Sequence, residues 1–512
     1  MERMDTGADA DVVVLALAAG RLTVPVELRS RDESRQAWRR LAHVQVGYRG
    51  ALPRLTADES SAFFAEMAAL LERADDALAR TPGVPLAQAL GLPLPATPPE
   101  PARHQPPTTL CALPFRALDI DTQGHARPCC LFAEPLRDET GRPFSVREHG
   151  LTEIWQSAAL AKLRQDMLDG KQVPACARCW QAEAVGAQSR REYYFLRRPE
   201  LATADLSKTV RLEDLSLCPG NLCNLKCRTC GPASSSSVAL EWRNLPETAA
   251  QLPIIQRARQ EVPPIENWLL DNDVMRLSLQ ALSRQLQRVE FVGGEPSVID
   301  AHFDLLRDWV AMGRAKEIEL DYTLNGTRIP EAARELWPAF RRVNVRVSLD
   351  AVGARFEYLR YPAKWSTVSQ NTLWFREIGA NVHVVVNATL SAYNVLYLHE
   401  LIAWAHAQEL ILGLSPVFDP PYFDPAILPD AAKRAVAATL MPLPLTGELR
   451  QNVEGLLLAL DRRPASAADQ ALFFAQTHLI DAVRGQSFAQ TFPELAAFLD
   501  WDDRLTRIPR PV

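Results

Sequence analysis

Three cysteines, Cys223, Cys227 and Cys230, form a CxxxCxxC array within the run Leu222-Cys-Asn-Leu-Lys-Cys-Arg-Thr-Cys-Gly-Pro232. Thiolates at that spacing can converge from a single loop onto a metal centre. Three ligands to a four-iron cubane leave one iron open, where a small chelating molecule can bind. Zinc would also accept the array, given a fourth ligand, and His125, His149 and Cys218 are available in the sequence. Upstream stands a second group: Cys111, the adjacent pair Cys129 and Cys130, and the CxxC pair Cys176 and Cys179. Cys218 is left over, five residues before Cys223. It reads either as a small buried hydrophobe or as a thiol facing a reaction chamber.

All nine cysteines of the 512 residues lie between Cys111 and Cys230. The odd count, the CxxC-type spacings and the clustering favour metal ligation in a reducing compartment over a disulfide framework. Acidic residues lead into the short apolar run 12–19, unlike a secretory signal. No apolar stretch approaches the roughly 20 residues of a membrane span, so the expectation is a cytoplasmic protein without membrane association. With 56 basic and 62 acidic side chains the net charge is −6, which gives no strong field for nucleic acid.

These residues must be held by a scaffold, and from residue 210 onward β-rich runs alternate with amphipathic segments. Strands are expected at 211–217, 288–292, 318–324, 343–349, 382–389 and 410–416, with helices such as 303–312 and 396–408 between them. Such alternation implies a largely parallel sheet with crossover helices, and six units imply an open, partial (β/α)6 barrel of TIM-like type. The domain reading is a mixed or helical region at 1–91, with a helix at 57–80, and a proline-dense linker at 92–108. A cysteine-bearing domain follows at 109–205, helical over 151–170, then the α/β core at 206–425 and a helical region at 426–512. Residues 249–270 read as an insertion between the first two strands.

The CxxxCxxC loop after the first strand, followed by Val292-Gly293-Gly294-Glu295-Pro296 after the second, resembles the radical S-adenosylmethionine (SAM) superfamily over roughly 210–418. The resemblance implies that Cys223, Cys227 and Cys230 hold a [4Fe–4S] cluster that binds SAM. It further implies that Gly293, Gly294, Glu295 and Pro296 lie along SAM, the glycines allowing close backbone approach and the carboxylate pairing with the methionyl ammonium. Asn325 in the Thr323–Thr327 tract, Ser348 and Asp350 after strand four, Arg360, Asn387 and the apolar segment 412–417 correspond to further cofactor-facing positions. One departure is Thr229, where the family often has an aromatic residue near the adenine.

The upstream cysteines resemble the SPASM/twitch auxiliary-cluster module, in the arrangement of proteins carrying a twitch domain before the barrel. Cys111, Cys129, Cys176 and Cys179 are the implied ligands of an auxiliary [4Fe–4S] cluster; adjacent residues point different ways, so only one of Cys129 and Cys130 is needed. A closed zinc site with four cysteine ligands is the structural alternative. All-cysteine ligation leaves no open iron and favours electron transfer. The implied activity is reductive cleavage of SAM to a 5′-deoxyadenosyl radical that abstracts a substrate hydrogen. The auxiliary cluster would then take up an electron in an oxidative modification or cross-linking of a peptide or small molecule. A flavodoxin- or ferredoxin-type electron donor is the implied partner. Radical methyl transfer involving Cys218, and a zinc-binding scaffold without catalysis, are the alternatives.

Overall fold

The computed structural model describes residues 109–184, 189–245, 267–270, 272–417, 420–462 and 466–501, together with two N-terminal strands. The expected helix at 57–80, the linker at 92–108 and most of the insertion at 249–270 lie outside the described residues. The N-terminal unit, 1–105, contains β1 (Val12–Leu17) and β2 (Gly20–Pro25), paired antiparallel. Residues 106–512 form a second compact unit.

That second unit is mixed α/β, built on one eight-stranded sheet. Its strands are β3 (Ala117–Ile120), β4 (Ala126–Arg127), β5 (Asp214–Leu217), β6 (Arg288–Phe291), β7 (Glu319–Leu324), β8 (Arg342–Ser348), β9 (Val382–Leu390) and β10 (Ile411–Pro416). From β5 to β10 each strand lies parallel beside its successor, and helices such as Ala301–Ala311 and Leu398–Ala407 fill the connections. β10 and β4 stand at the two ends of the strand order, so the strands form an open sheet. The sheet has two strands more than the six expected. β3 pairs parallel with β5, and β4 antiparallel with β3, so the upstream cysteine segment extends the same sheet. Four residues buried throughout and a strand of two residues leave no alternation to read.

The alternation in Arg-Val-Glu-Phe, Glu-Leu-Asp-Tyr-Thr-Leu and Arg-Val-Asn-Val-Arg-Val-Ser divides the sheet into two chemically different faces. Val289, Phe291, Leu320, Tyr322, Val343 and Val345 are buried on one face. There Phe291 meets His302 of the helix Ala301–Ala311 at 4.7 Å and Tyr322 at 5.2 Å. On the other face the register sets Asp119, Ser216, Glu290, Asp321 and Asn344 side by side across five strands. Arg346 bridges Glu290 at 2.8 Å and Asp321 at 2.9 Å, and Arg288 also pairs with Asp321. A parallel sheet is usually apolar on both faces. Here ion pairing compensates the charges on the second one.

The helices after residue 429, at Asp430–Leu440, Gly447–Arg462 and Ala467–Arg484, match the leucine- and phenylalanine-rich runs of the sequence. Phe473 and Phe488 of this region are fully buried around Tyr393, which follows β9. The C-terminal helices therefore share the main hydrophobic core.

Candidate active site

The CxxxCxxC loop leaves β5 and is fastened on three sides. Ser237 Oγ donates to the Cys223 carbonyl at 2.7 Å, and the Cys223 N–H donates to Ser236 Oγ at 3.1 Å, both from the helix Ser236–Arg243. The Lys226 and Arg228 amides donate to the carbonyls of Tyr361 and Leu359, at 2.7 and 2.8 Å. From the β6 side, the Glu295 amide donates to the Leu222 carbonyl at 2.8 Å.

Gly293 and Gly294 explain how that third side comes so close. Both have positive φ, +74° and +52°. A Cβ on Gly294 would stand 2.5 Å from the Leu222 carbonyl oxygen, and one on Gly293 2.5 Å from the Cys218 Cβ. Only glycine offers both the conformation and the space. Pro296 follows, buried at the start of a short turn, Pro296–Val298.

Glu295 is 2% exposed. Its Oε1 accepts from the Ser297 amide at 3.0 Å and its Oε2 from the Asn325 amide at 2.6 Å. Burial pushes its carboxyl above the usual range, while those hydrogen bonds pull it back. Asn325 in turn donates to Asn224 Oδ1 at 2.8 Å, within the cysteine loop, so the ends of β5, β6 and β7 are joined by one polar chain. Asp350 and Arg360 form a buried ion pair, with Arg360 Nε 2.8 Å and Nη2 3.0 Å from the carboxylate. Arg360 Nη1 reaches within 3.8 Å of Cys227 Sγ. Asp350 also accepts from the Thr389 amide at 2.9 Å, so both its oxygens are engaged by protein groups. Asn387 accepts from Ser415 at 3.1 Å, and Ser348, its register partner on β8, is half-buried.

Cys227 is buried, and Cys223 and Cys230 are half-buried. A hydrogen bond with Cys230, followed by the Arg360 charge, lowers the Cys227 thiol below its ordinary value against the effect of burial. Burial pushes the Cys223 thiol up to about 12. Cys227 and Cys230 share a small cavity with Arg228, Trp242, Gln476 and Arg484. Two aromatic rings, Trp242 and Tyr393, line that cavity, although position 229 itself is threonine.

In the upstream set, Cys111 and Cys179 are buried, Cys129 and Cys176 half-buried. The charges of Cys129, Cys176 and Cys179 all act on Cys111, whose thiol is raised chiefly by burial. Cys130 is exposed, and the charges nearest its thiol are those of Arg190, Asp119 and Glu290. Cys218 is under the same influence: burial raises its thiol, and Asp119, Asp121 and Glu290 add to the effect. His125 is engaged 3.7 Å from Asp121, and His149 by the Ser145 carbonyl at 3.1 Å. Among the described residues, no three His, Cys, Asp or Glu side chains are gathered tightly enough to hold a single metal ion.

Residues 111–180 match the SPASM family, described as an iron–sulfur cluster-binding domain. Over these residues the chain is similar to iron–sulfur cluster-binding domains. The match supports iron–sulfur chemistry for the segment containing Cys111, Cys129, Cys176 and Cys179, and with it the resemblance to auxiliary-cluster radical SAM proteins. No curated protein matches the chain. Among solved structures, it is 14% identical to anSMEcpe with bound AdoMet and Kp18Cys peptide, over 53% of this chain and 62% of that one, at a TM-score of 0.29. It is 15% identical to Streptococcus suis SuiB bound to S-adenosylmethionine, over 52% and 54%, at a TM-score of 0.28. The chain thus spans less than two thirds of either protein. Among the described residues no helix is long and apolar enough to cross a membrane.

Several residues around the loop carry no sequence signal. Arg228 stacks 3.6 Å over the Tyr358 ring and pairs with Asp481, far along the chain, and Asp119 lies on a strand too short to recognise. Burial raises the Asp119 carboxyl to about 6, against a hydrogen bond from Ser216 and the Arg127 charge. An acid whose folded value lies above its unfolded one loses stability as pH rises between the two values, here from about 4 to about 6. Asp119→Asn is therefore expected to flatten the decline across that window and to raise stability at pH 8 by about 3 kcal/mol. Urea midpoints at pH 4, 6 and 8 measure it, and a parallel profile in parent and variant contradicts it.

Proposed function

We propose that this chain is a radical SAM enzyme in which Cys223, Cys227 and Cys230 hold the SAM-binding [4Fe–4S] cluster. Cys111, Cys129, Cys176 and Cys179 hold the auxiliary cluster, which takes up an electron in an oxidative modification of a peptide or small molecule. The observation that carries this reading is Glu295. It is a buried carboxylate beside the cysteine loop; the Arg360 charge acts on it from a distance, but Arg360 is paired with Asp350, and among the described residues no ion pair joins a cation to Glu295 within 4 Å. Burying an acid without a countercharge is costly. The methionyl ammonium of SAM supplies that charge.

The surrounding residues fit the cofactor. The loop presents its thiols with backbone amides tied to three neighbouring elements, and the Leu225 amide donates to Cys223 Sγ at 3.4 Å. Gly293 and Gly294 let the turn that carries Glu295 pack directly against Cys218 and the Leu222 carbonyl. Asn325 fixes the Glu295 carboxylate through its amide, and the Asp350–Arg360 pair places a guanidinium against Cys227. When bound, the two clusters supply reductive SAM cleavage and storage of an electron, the latter without an open iron. A flavodoxin- or ferredoxin-type protein is the expected reductant.

Anaerobic reconstitution tests the reading. The parent chain should take up about eight irons and form 5′-deoxyadenosine from SAM under reducing conditions. Cys179→Ala should lose about half of the iron and still form 5′-deoxyadenosine. A colourless, zinc-loaded parent without SAM cleavage would refute the proposal. Full iron in the Cys179 variant would refute the auxiliary ligand set alone.

A further inference from the structure

The helix Ala467–Arg484 ends at the cysteine loop, and its last residue turns inward. The Arg484 side chain is 3% exposed. Its Nε and Nη2 donate to the two oxygens of Glu241, at 3.0 and 2.7 Å, and its guanidinium lies 5.2 Å from the Tyr361 ring centroid. Glu241 also sits 3.5 Å from Lys226, a member of the cysteine loop itself. The forked bond to Glu241 fixes the plane of the guanidinium.

One nitrogen of that fixed group has nothing to bind. Arg484 Nη1 is buried without a hydrogen-bond partner, and so is Gln476 Oε1 about two turns earlier in the same helix. Both side chains line the cavity that Cys227 and Cys230 also line. The Arg484 charge is felt at Cys227. A buried donor without an acceptor is unfavourable, and native structures rarely leave one unless something further fills the site. The acceptors that a cluster on Cys227 and Cys230 would bring to this cavity are sulfurs.

We propose that Arg484 is a positioning residue for the cluster of Cys223, Cys227 and Cys230, donating its free Nη1–H to a sulfur of that cluster while Glu241 holds the guanidinium in place. This rests on the reading of those three cysteines as cluster ligands. A cluster becomes one charge more negative on reduction. Hydrogen bonds to its sulfurs and nearby positive charge stabilise the reduced form and raise the potential. Glu241 acts on the same couple with the opposite sign.

The test is a redox titration of the full-length reconstituted chain, followed by electron paramagnetic resonance. A Cys176→Ala/Cys179→Ala background leaves one cluster to report. Arg484→Gln is expected to lower the potential and Glu241→Gln to raise it. Arg484→Lys, which keeps the charge but loses the fork, is expected to fall between Arg484→Gln and the parent. A purely structural role moves both neutral variants the same way. Unchanged potentials at full iron content, or shifts of equal sign, overturn the proposal. Should Arg484→Gln lose its iron, Glu241→Gln decides, since it leaves the guanidinium intact and its upward shift remains required. If Cys227→Ala removes no iron from the same background, the ligand reading itself has failed, and Arg484 with it.

Discussion

Cys227→Ala is expected to abolish reductive cleavage of SAM while leaving the auxiliary site loaded. Cys227 is the most enclosed thiol of its array and the only one within reach of both Cys230 and the Arg360 guanidinium. Removing it leaves two cysteines on the loop, too few to hold a cubane with a single open iron. Loss of an outer-shell partner typically costs 10–100-fold, so loss of a ligand should exceed about 100-fold in the rate of 5′-deoxyadenosine formation. Iron content should fall by about half, to the auxiliary cluster's share. Arg360→Gln should be milder, since it removes the partner of Asp350 and a donor to Cys227 without removing a ligand. Substantial SAM cleavage by Cys227→Ala would exclude this thiol from the ligand set.

The second large effect is expected from Gly294→Ala. The new methyl would meet the Leu222 carbonyl at 2.5 Å and that of Gly220 at 2.9 Å, both backbone atoms that cannot turn aside. The positive φ of +52° adds conformational strain for any residue with a Cβ. Together these should cost about 2–4 kcal/mol of stability. The β6 turn would move away from the cysteine loop, lengthening the bond from the Glu295 amide to Leu222. SAM affinity should therefore fall together with the thermal midpoint. Gly141→Ala serves as the control: it also has positive φ, but no atom lies within 4 Å of its added methyl. Equal losses in the two variants would mean that strain alone, and not the closeness of the two loops, matters at Gly294.

Much of the site can be read without coordinates because its determinants are local. Cys223, Cys227 and Cys230 fall within eight residues, and chelating spacing is a property of a single loop. The Gly293-Gly294-Glu295-Pro296 turn is likewise continuous, and its positive φ values are what consecutive glycines permit. The six parallel strands β5–β10 sit within a few residues of their expected positions, since alternating polar and apolar residues carry a period of two. β3 and β4 carry no such signal, for the complementary reason. They are too short to show a period, and strand pairing across nearly a hundred residues of chain leaves no local trace.

The same distinction separates three carboxylate–guanidinium pairs near the cysteines. Asp350 and Arg360 flank one short helix, Gly353–Leu359, and their association could be expected from proximity in the chain. Arg484 and Glu241 are 243 positions apart, and Arg228 and Asp481 are 253 apart. Each residue alone is an ordinary charged position on an amphipathic helix or in a loop. Burial of Phe473 and Phe488 around Tyr393 brings the last helices onto the sheet and so brings these charges to the cysteine loop.

By itself the sequence determined the chemistry on offer: two groups of thiols, a glycine turn with a carboxylate, and the strands to carry them, all encoded in neighbouring residues. Only the tertiary structure decided what surrounds that chemistry. It buried Glu295 with no cation within 4 Å among the described residues, set Arg360 against Cys227, and turned Arg484 into the cavity beside Cys227 and Cys230. Such arrangements depend on which apolar faces pack together, and packing is decided by the whole core rather than by any segment of the chain.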